Sequence, residues 1–366
     1  MSELATRTGA INLGQGFPNF DGPEQIKKAA IRAIEEGHNQ YPPGLGIPAL
    51  REAIAQHQKT FYNLAYDPET EILVTAGATE AITASLLALV EPRDEVIVFE
   101  PFYDSYHAAI VLAHGETIPV PLRQPDWSID FDYMESIISS RTRVVLVNSP
   151  HNPTGKVFTK QELGAIAELC IKHDLIAITD EVYEHLVFEG SHISLAQMPG
   201  MRERTIVISS AAKTFSLTGW KIGWLCAPRE LTQAARTTKQ FLTYVNGAPF
   251  QEAIAFALQS GNKFTSLITP QLEDPRRQLT TSLGEIGLKV CSNSGTYFLV
   301  TDISTITDED SMTFCLELPQ RIGVVAVPME VFYKTPGSGR NLVRWAFCKT
   351  PNVIDQATQR LSQLKL

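Results

Sequence analysis

From residue 71 to residue 210 the chain alternates short apolar runs with helix-like stretches, and this alternation is its strongest constraint on fold. Ile72-Leu73-Val74-Thr75 reads as a strand, residues 79–90 are rich in Ala and Leu and read as a helix, and residues 95–99 are strand-like again. The runs 144–147 and 176–179 are further strands, with a helix expected over 160–173 between them. Thr205-Ile206-Val207-Ile208 closes the series. Apolar strands separated by helices build an α/β fold, a mostly parallel central sheet flanked by helices. After about residue 271 the pattern shifts to shorter segments, 283–290, 295–300, 323–327 and 342–347, expected to form a smaller α+β domain. A Pro/Gly loop, Tyr41-Pro42-Pro43-Gly44-Leu45-Gly46, sets off the N-terminal stretch. At 366 residues the chain exceeds one typical core. The expected division is an N-terminal segment 1–35 packing with the small domain, a large domain over 36–270 and a small C-terminal domain over 271–366.

Composition narrows the function classes. A net charge of −9, with no basic run longer than two residues, argues against nucleic-acid binding. The cysteines are scattered without a C-x-x-C pair, which suits buried thiols in a reducing compartment. The histidines form no H-x-x-x-H or H-E-x-x-H pattern, so no metal is expected. No apolar run reaches membrane-spanning length and no signal peptide is evident, so the expected location is the cytoplasm, with no membrane partner.

Ligands on parallel sheets bind beyond the carboxyl ends of the strands. Gly77-Ala78-Thr79 follows the first strand and opens a helix, where free N–H groups and the helix dipole attract anions. Many α/β turns use the same small residues for packing alone. Asn152 lies in the loop 148–155 (NSPHNPTG) after the strand 144–147, as an amide donor or as part of an ordinary Asn-Pro turn. Asp180 ends the strand 176–179, with Tyr183 three residues on. A carboxylate there needs a cationic partner, such as a protonated heterocycle, unless it caps a helix. Lys213 follows the strand 205–208 in small and apolar company, with Ser209, Ser210, Ser216 and a second cation, Lys221, nearby. Desolvation lowers a lysine pKa and yields the neutral amine that a Schiff base requires. By spacing alone Lys213 is equally an ordinary loop lysine. An anion cradle, an amide, a carboxylate, a phenol and a desolvated lysine at the ends of one sheet together describe a site for pyridoxal 5′-phosphate (PLP).

These motifs closely resemble the class I/II, fold-type I PLP-dependent aminotransferases. The likeness runs from residues 12–18 (NLGQGFP) to Arg344, and is carried by residues 100–106 (EPFYDSY), 148–155, 178–188 (ITDEVYEHLVF) and 209–224. Within that family the chain is similar to the kynurenine, glutamine and methionine aminotransferase branch, and most of all to actinobacterial N-succinyldiaminopimelate aminotransferases. The resemblance implies that Lys213 binds the cofactor aldehyde and then shuttles a proton, and that Asp180 keeps the ring nitrogen protonated. It implies that Asn152 and Tyr183 contact the ring 3-oxygen, and that Tyr103 stacks on the ring face. Ser210, Lys221 and the Gly77-Ala78-Thr79 backbone would hold the phosphate, with Lys221 a point charge where many members have arginine. Tyr41 would reach the phosphate of a neighbouring subunit, implying a homodimer with shared active sites. Arg344, aided by the backbone at Gly16, would pair with the substrate α-carboxylate. The family usually carries a longer dimer-clasping segment before its Asn12 motif than this chain does.

The reaction so implied is ping-pong transfer of an amino group from glutamate to a keto or aldehyde acceptor. The first expectation for the acceptor is N-succinyl-2-amino-6-oxopimelate, in lysine and diaminopimelate biosynthesis. Kynurenine-, methionine- or aromatic-type transamination, and cysteine-S-conjugate β-elimination, are the alternatives on the same fold. A regulator that binds DNA through the same fold lacks its basic helix-turn-helix here.

Overall fold

The computed structural model describes residues 1–364, so the last two residues of the expected 271–366 unit lie outside the described residues. Its centre is an eight-stranded sheet. The order is Ile72–Thr75, Gly223–Cys226, Thr205–Ser210, Ile176–Asp180, Thr142–Asn148, Glu95–Glu100, Glu116–Arg123 and Ser128–Ile129. All run the same way except Gly223–Cys226 and Ser128–Ile129. Every residue of Glu95–Glu100 and Thr205–Ser210 is buried, as both faces of such strands must be.

Side-chain alternation divides the core between the two faces. Val96, Val98, Val144, Leu146, Ile178, Ile206 and Ile208 pack under the helices Ala78–Leu89 and Ser105–Leu112. Their neighbours Val74, Val207 and Trp224 face the helices Glu24–Glu35, Pro48–Tyr62 and Ala248–Gln259. Further along that face, Ile97, Phe99, Val145 and Ala177 pack on Lys160–Lys172, which begins with a Thr159–Glu162 capping box.

The C-terminal part is a four-stranded antiparallel sheet, in the order Lys289–Val290, Phe298–Asp302, Leu342–Ala346, Val327–Pro328. The helices Ile268–Glu285, Ser311–Ile322 and Pro351–Leu361 bury Leu272, Leu283, Phe314, Leu318 and Ile354 against Leu299, Val343 and Trp345. Ile11–Asn12 pairs in parallel with Val324–Val325 beside this layer. Helix Ser2–Thr8 also lies on Ser311–Ile322 of this layer, as expected for the 1–35 unit, but the unit's second helix goes elsewhere. Helix Glu24–Glu35 lies on Ala248–Gln259, with Ile26, Ala29 and Ala30 in a common core with Leu50, Ile54 and Ile254. The small residues of that helical stripe let the two helices approach closely, and this draws it onto the central sheet's layer. Val182, Tyr183 and Leu186, just past a central strand, join the C-terminal core. The two layers therefore meet where the parallel strands end. Among the described residues no helix is long and apolar enough to cross a membrane.

Candidate active site

Beyond the carboxyl ends of the strands lies a cavity of about 270 Å³, near the lower limit for small-molecule sites. Gly16, Gly77, Ala78, Thr79, Tyr103, Asn152, Asp180, Tyr183, Ser210, Lys213, Lys221 and Arg344 all line it. Tyr41 does not; it is 83% exposed, edge-on to Tyr244 with ring centroids 5.8 Å apart.

Each side chain arrives there for a local reason. Ser210 ends its strand and immediately precedes the short helix Ala211–Thr214, which turns Lys213 back over the strand ends. The ammonium donates to the Gly16 carbonyl at 3.2 Å and sits 5.7 and 5.6 Å from the ring centres of Tyr183 and Tyr297. Apart from the side that faces the cavity, its surroundings are protein. Burial therefore pulls its pKa from 10.5 to about 8, against the opposing pull of Cys348 and Asp180. The Tyr297 hydroxyl donates to the same Gly16 oxygen at 2.5 Å, so residues near position 16 are tied to both layers.

Asp180 is the last residue of its strand. Its Oδ2 accepts from the Tyr106 hydroxyl at 2.6 Å and its Oδ1 accepts from the Val182 N–H at 3.3 Å. Burial pushes the carboxyl up to about 6, because those two bonds offset only part of the desolvation. Asn148 locks the neighbouring loop in place: its amide donates to the Asp180 carbonyl at 2.8 Å and accepts from the Asn152 N–H at 2.7 Å.

Arg344 enters from the other layer. Alternation along Leu342–Ala346 buries Val343 and Trp345 in the C-terminal core and sends Arg344 the opposite way. Nη1 donates to Asn152 Oδ1 at 2.9 Å and Nη2 to the Gly14 carbonyl at 3.1 Å, while the guanidinium lies 4.0 Å from the Phe298 ring centre. Burial lowers its pKa to about 10, which leaves it charged at neutral pH. Tyr103 stands edge-on to Tyr106 at 5.7 Å, and burial raises its phenol pKa.

These groups fit PLP. Gly77 has φ +80°, and a Cβ there would come within 3.2 Å of Lys221 Nζ, so bare backbone and a cation face each other at the start of helix Ala78–Leu89. The first N–H groups of that helix lack intrahelical acceptors and suit a phosphate. Arg344 Nε is buried without a partner, a donor left over for a ligand. Asp180 lacks the cation that a protonated ring nitrogen would supply.

Tyr106, Tyr297, Phe298 and Asn148 are the site residues that sequence reasoning missed. Tyr106 and Asn148 lie inside the motifs 100–106 and 148–155, and those motifs are the signal that could have found them. Tyr297 and Phe298 belong to a segment that reads only as C-terminal structure and carry no local mark of a site.

The sequence pattern of class I and II aminotransferases matches residues 8–361. A probable N-succinyldiaminopimelate aminotransferase of Mycobacterium tuberculosis is 49% identical over 377 aligned positions, covering 100% of this chain and 94% of the relative. The methionine aminotransferase of Escherichia coli is 39% identical, covering 100% of this chain and 94% of its own length. The solved structure of N-succinyldiaminopimelate aminotransferase from M. tuberculosis superposes with a TM-score of 0.97, covering 100% of this chain and 96% of that one. With the cavity, the cofactor-fitting residues and this similarity along its whole described length, the chain belongs to the class I and II aminotransferases and is a PLP-dependent, fold-type I transaminase.

Proposed function

We propose that this enzyme moves the amino group of glutamate to N-succinyl-2-amino-6-oxopimelate, a step toward diaminopimelate and lysine. The observation that carries the transfer chemistry is the meeting of Lys213 and Arg344, from different layers, in one cavity. The mycobacterial relative supports the acceptor.

PLP supplies an aldehyde that takes up amines and a ring that accepts electrons. The chain's own residues do the rest. Arg344 binds the substrate α-carboxylate with its guanidinium, assisted by the backbone near Gly16. Lys213 takes the proton from the substrate Cα and returns one, and its pKa of about 8 suits both directions near neutral pH. Asp180 holds a proton on the ring nitrogen. Asn152 and Tyr183 would donate toward the ring 3-oxygen, and Tyr103 would cover the ring face and exclude water. Gly77, Ala78, Thr79, Ser210 and Lys221 hold the phosphate. The exposure of Tyr41 suits a reach into a second copy, so we assign a homodimer with shared sites, working in the cytoplasm.

A methionine- or aromatic-type acceptor is the second reading, favoured by the 39% identity to the E. coli enzyme. Steady-state kinetics with glutamate and a panel of acceptors decides between them. The expected kcat/KM for the succinylated acceptor exceeds that for methionine- and phenylalanine-derived keto acids by more than about tenfold, a difference of about 1.4 kcal/mol at the transition state. The reverse ranking establishes the second reading. Pyruvate and ammonia released from cystathionine without any keto acid would mark a β-lyase.

A further inference from the structure

Away from the cofactor cavity, two histidines and a glutamate converge in the interior. Ser209 and Ser210 are successive residues of one strand, so their side chains leave the sheet on opposite faces. Ser210 lines the cavity, whereas the Ser209 hydroxyl donates to Glu184 Oε1. The other oxygen, Glu184 Oε2, is buried and has no hydrogen-bond partner within 3.5 Å among the described residues. His57, from helix Pro48–Tyr62, and His185, beside Glu184, face each other through Nε2 atoms 2.8 Å apart. One ligand atom from each of the three lies within 4.8 Å of the others. His57 and Glu184 are each only 4% exposed.

The carboxylates around this cluster have histidine and hydroxyl neighbours. Glu181, next to it, is accompanied by His192 at 2.9 Å and by the Ser194 hydroxyl at 2.8 Å. Among the described residues no lysine or arginine forms an ion pair with Glu181 or Glu184. Burying a carboxylate without a cation is costly. One nitrogen of each imidazole and a carboxylate oxygen of Glu184 thus meet at one place in the interior.

We propose that His57, Glu184 and His185 bind a divalent transition-metal ion, Zn²⁺ by ligand chemistry, which clasps helix Pro48–Tyr62 to the segment that carries Asp180 and Tyr183. Two imidazole nitrogens and one carboxylate oxygen form a ligand set that Zn²⁺ accepts. Tetrahedral bonds of about 2.0–2.1 Å place neighbouring ligand atoms roughly 3.3 Å apart, so the two Nε2 atoms need separate by only about half an ångström. The Ser209 hydroxyl already orients the carboxylate, the role that outer-shell hydrogen bonds play at metal sites. His185 is partly exposed. No local motif announces the site, because position 57 meets positions 184 and 185 only in the fold. It runs against the expectation, from histidine spacing, of no metal.

The test uses the PLP-loaded full chain in phosphate-free buffer, stripped by a chelator and titrated with Zn²⁺ or Co²⁺. The expected result is one ion per chain, the absorption of four-coordinate Co²⁺, and a higher melting temperature with Zn²⁺. His57→Gln and Glu184→Gln should weaken binding at least about a hundredfold. His185→Gln should weaken it as much while keeping the absorbance of bound PLP, which separates loss of the ion from loss of the fold. A wild-type chain that binds neither ion, or binds them no more tightly than the His57→Gln and His185→Gln variants, overturns the proposal. Titration of the wild type alone can overturn it even if the other variants do not fold.

Discussion

Two buried carboxylates of the same sheet show how structure and function divide the molecule. Glu95 begins its strand and Asp180 ends another, so they sit at opposite edges. Glu95 is fully engaged: Ser139 and Thr142 donate hydroxyls at 2.6 and 2.9 Å, and Arg141 donates through Nε at 3.1 Å and Nη2 at 2.5 Å. Burial pushes its carboxyl up, but these bonds outweigh burial and hold it below the ordinary range. Asp180 has one hydroxyl, one long backbone N–H, the weaker pull of Lys213 and, among the described residues, no ion-pair partner, and burial wins. One edge is satisfied by the protein itself; at the other a carboxylate is left to be satisfied by a ligand.

The sharpest way to break this contrast is Asp180→Asn. It removes the charge that keeps the ring nitrogen protonated, and kcat/KM should fall about a thousandfold, or about 4 kcal/mol. The cofactor-free protein should respond in the opposite sense. Its Asp180 titrates near 6 against an ordinary 3.8, so the folded state carries a penalty for the ionised form. That penalty is absent below pH 3.8, grows up to about pH 6 and is complete above it. Asp180→Asn should therefore stabilise the cofactor-free protein at pH 7 by up to about 3 kcal/mol, read from urea unfolding. Loss of stability with activity retained would place Asp180 in the same class as Glu95.

Uptake of PLP by the cofactor-free enzyme should follow the neutral amine of Lys213. Its rate should rise close to tenfold from pH 6 to pH 7, flatten through about 8 and level off above, as recorded by absorbance. A rise that continued toward pH 10.5 would mean that Lys213 is not desolvated. A smaller effect is expected from Tyr106→Phe. Among the described residues it removes the only side-chain donor to Asp180, pushes that carboxyl higher still, and should lower kcat/KM about threefold to tenfold near pH 6 and less at pH 8. For Glu95→Gln the expected change in activity is less than about twofold, with a loss of roughly 1–3 kcal/mol in stability. The contribution from Glu95 is present above its ordinary 4.5 and disappears as the pH falls through its lower folded value.

Whether a feature is legible in the sequence depends on whether it is local. The strands at 72–75, 95–100, 142–148, 176–180 and 205–210 declare themselves because both faces are buried and their residues are apolar. Glu116–Arg123 does not, because Pro119 and Pro121 argue against a strand. It lies near the sheet margin and pairs outward only at Leu122 and Arg123, so its prolines have an open side. Gly223–Cys226 is short and antiparallel between parallel neighbours, a placement that no periodicity signals. The cavity residues at strand ends are legible for a topological reason, since ligands gather there. Tyr297 is not, because its hydroxyl reaches Gly16 from a distant layer. Nor is the cluster of His57 with Glu184 and His185, which only tertiary packing assembles.

Everything else rests on Lys213 moving an amino group in this cavity. A single-turnover reaction with glutamate tests this most directly, by measuring the 2-oxoglutarate released from PLP-loaded enzyme with no acceptor present. The expected result is one 2-oxoglutarate per chain from the wild type and none, on the same timescale, from Lys213→Ala. No release from the wild type, or equal release from Lys213→Ala, would contradict it.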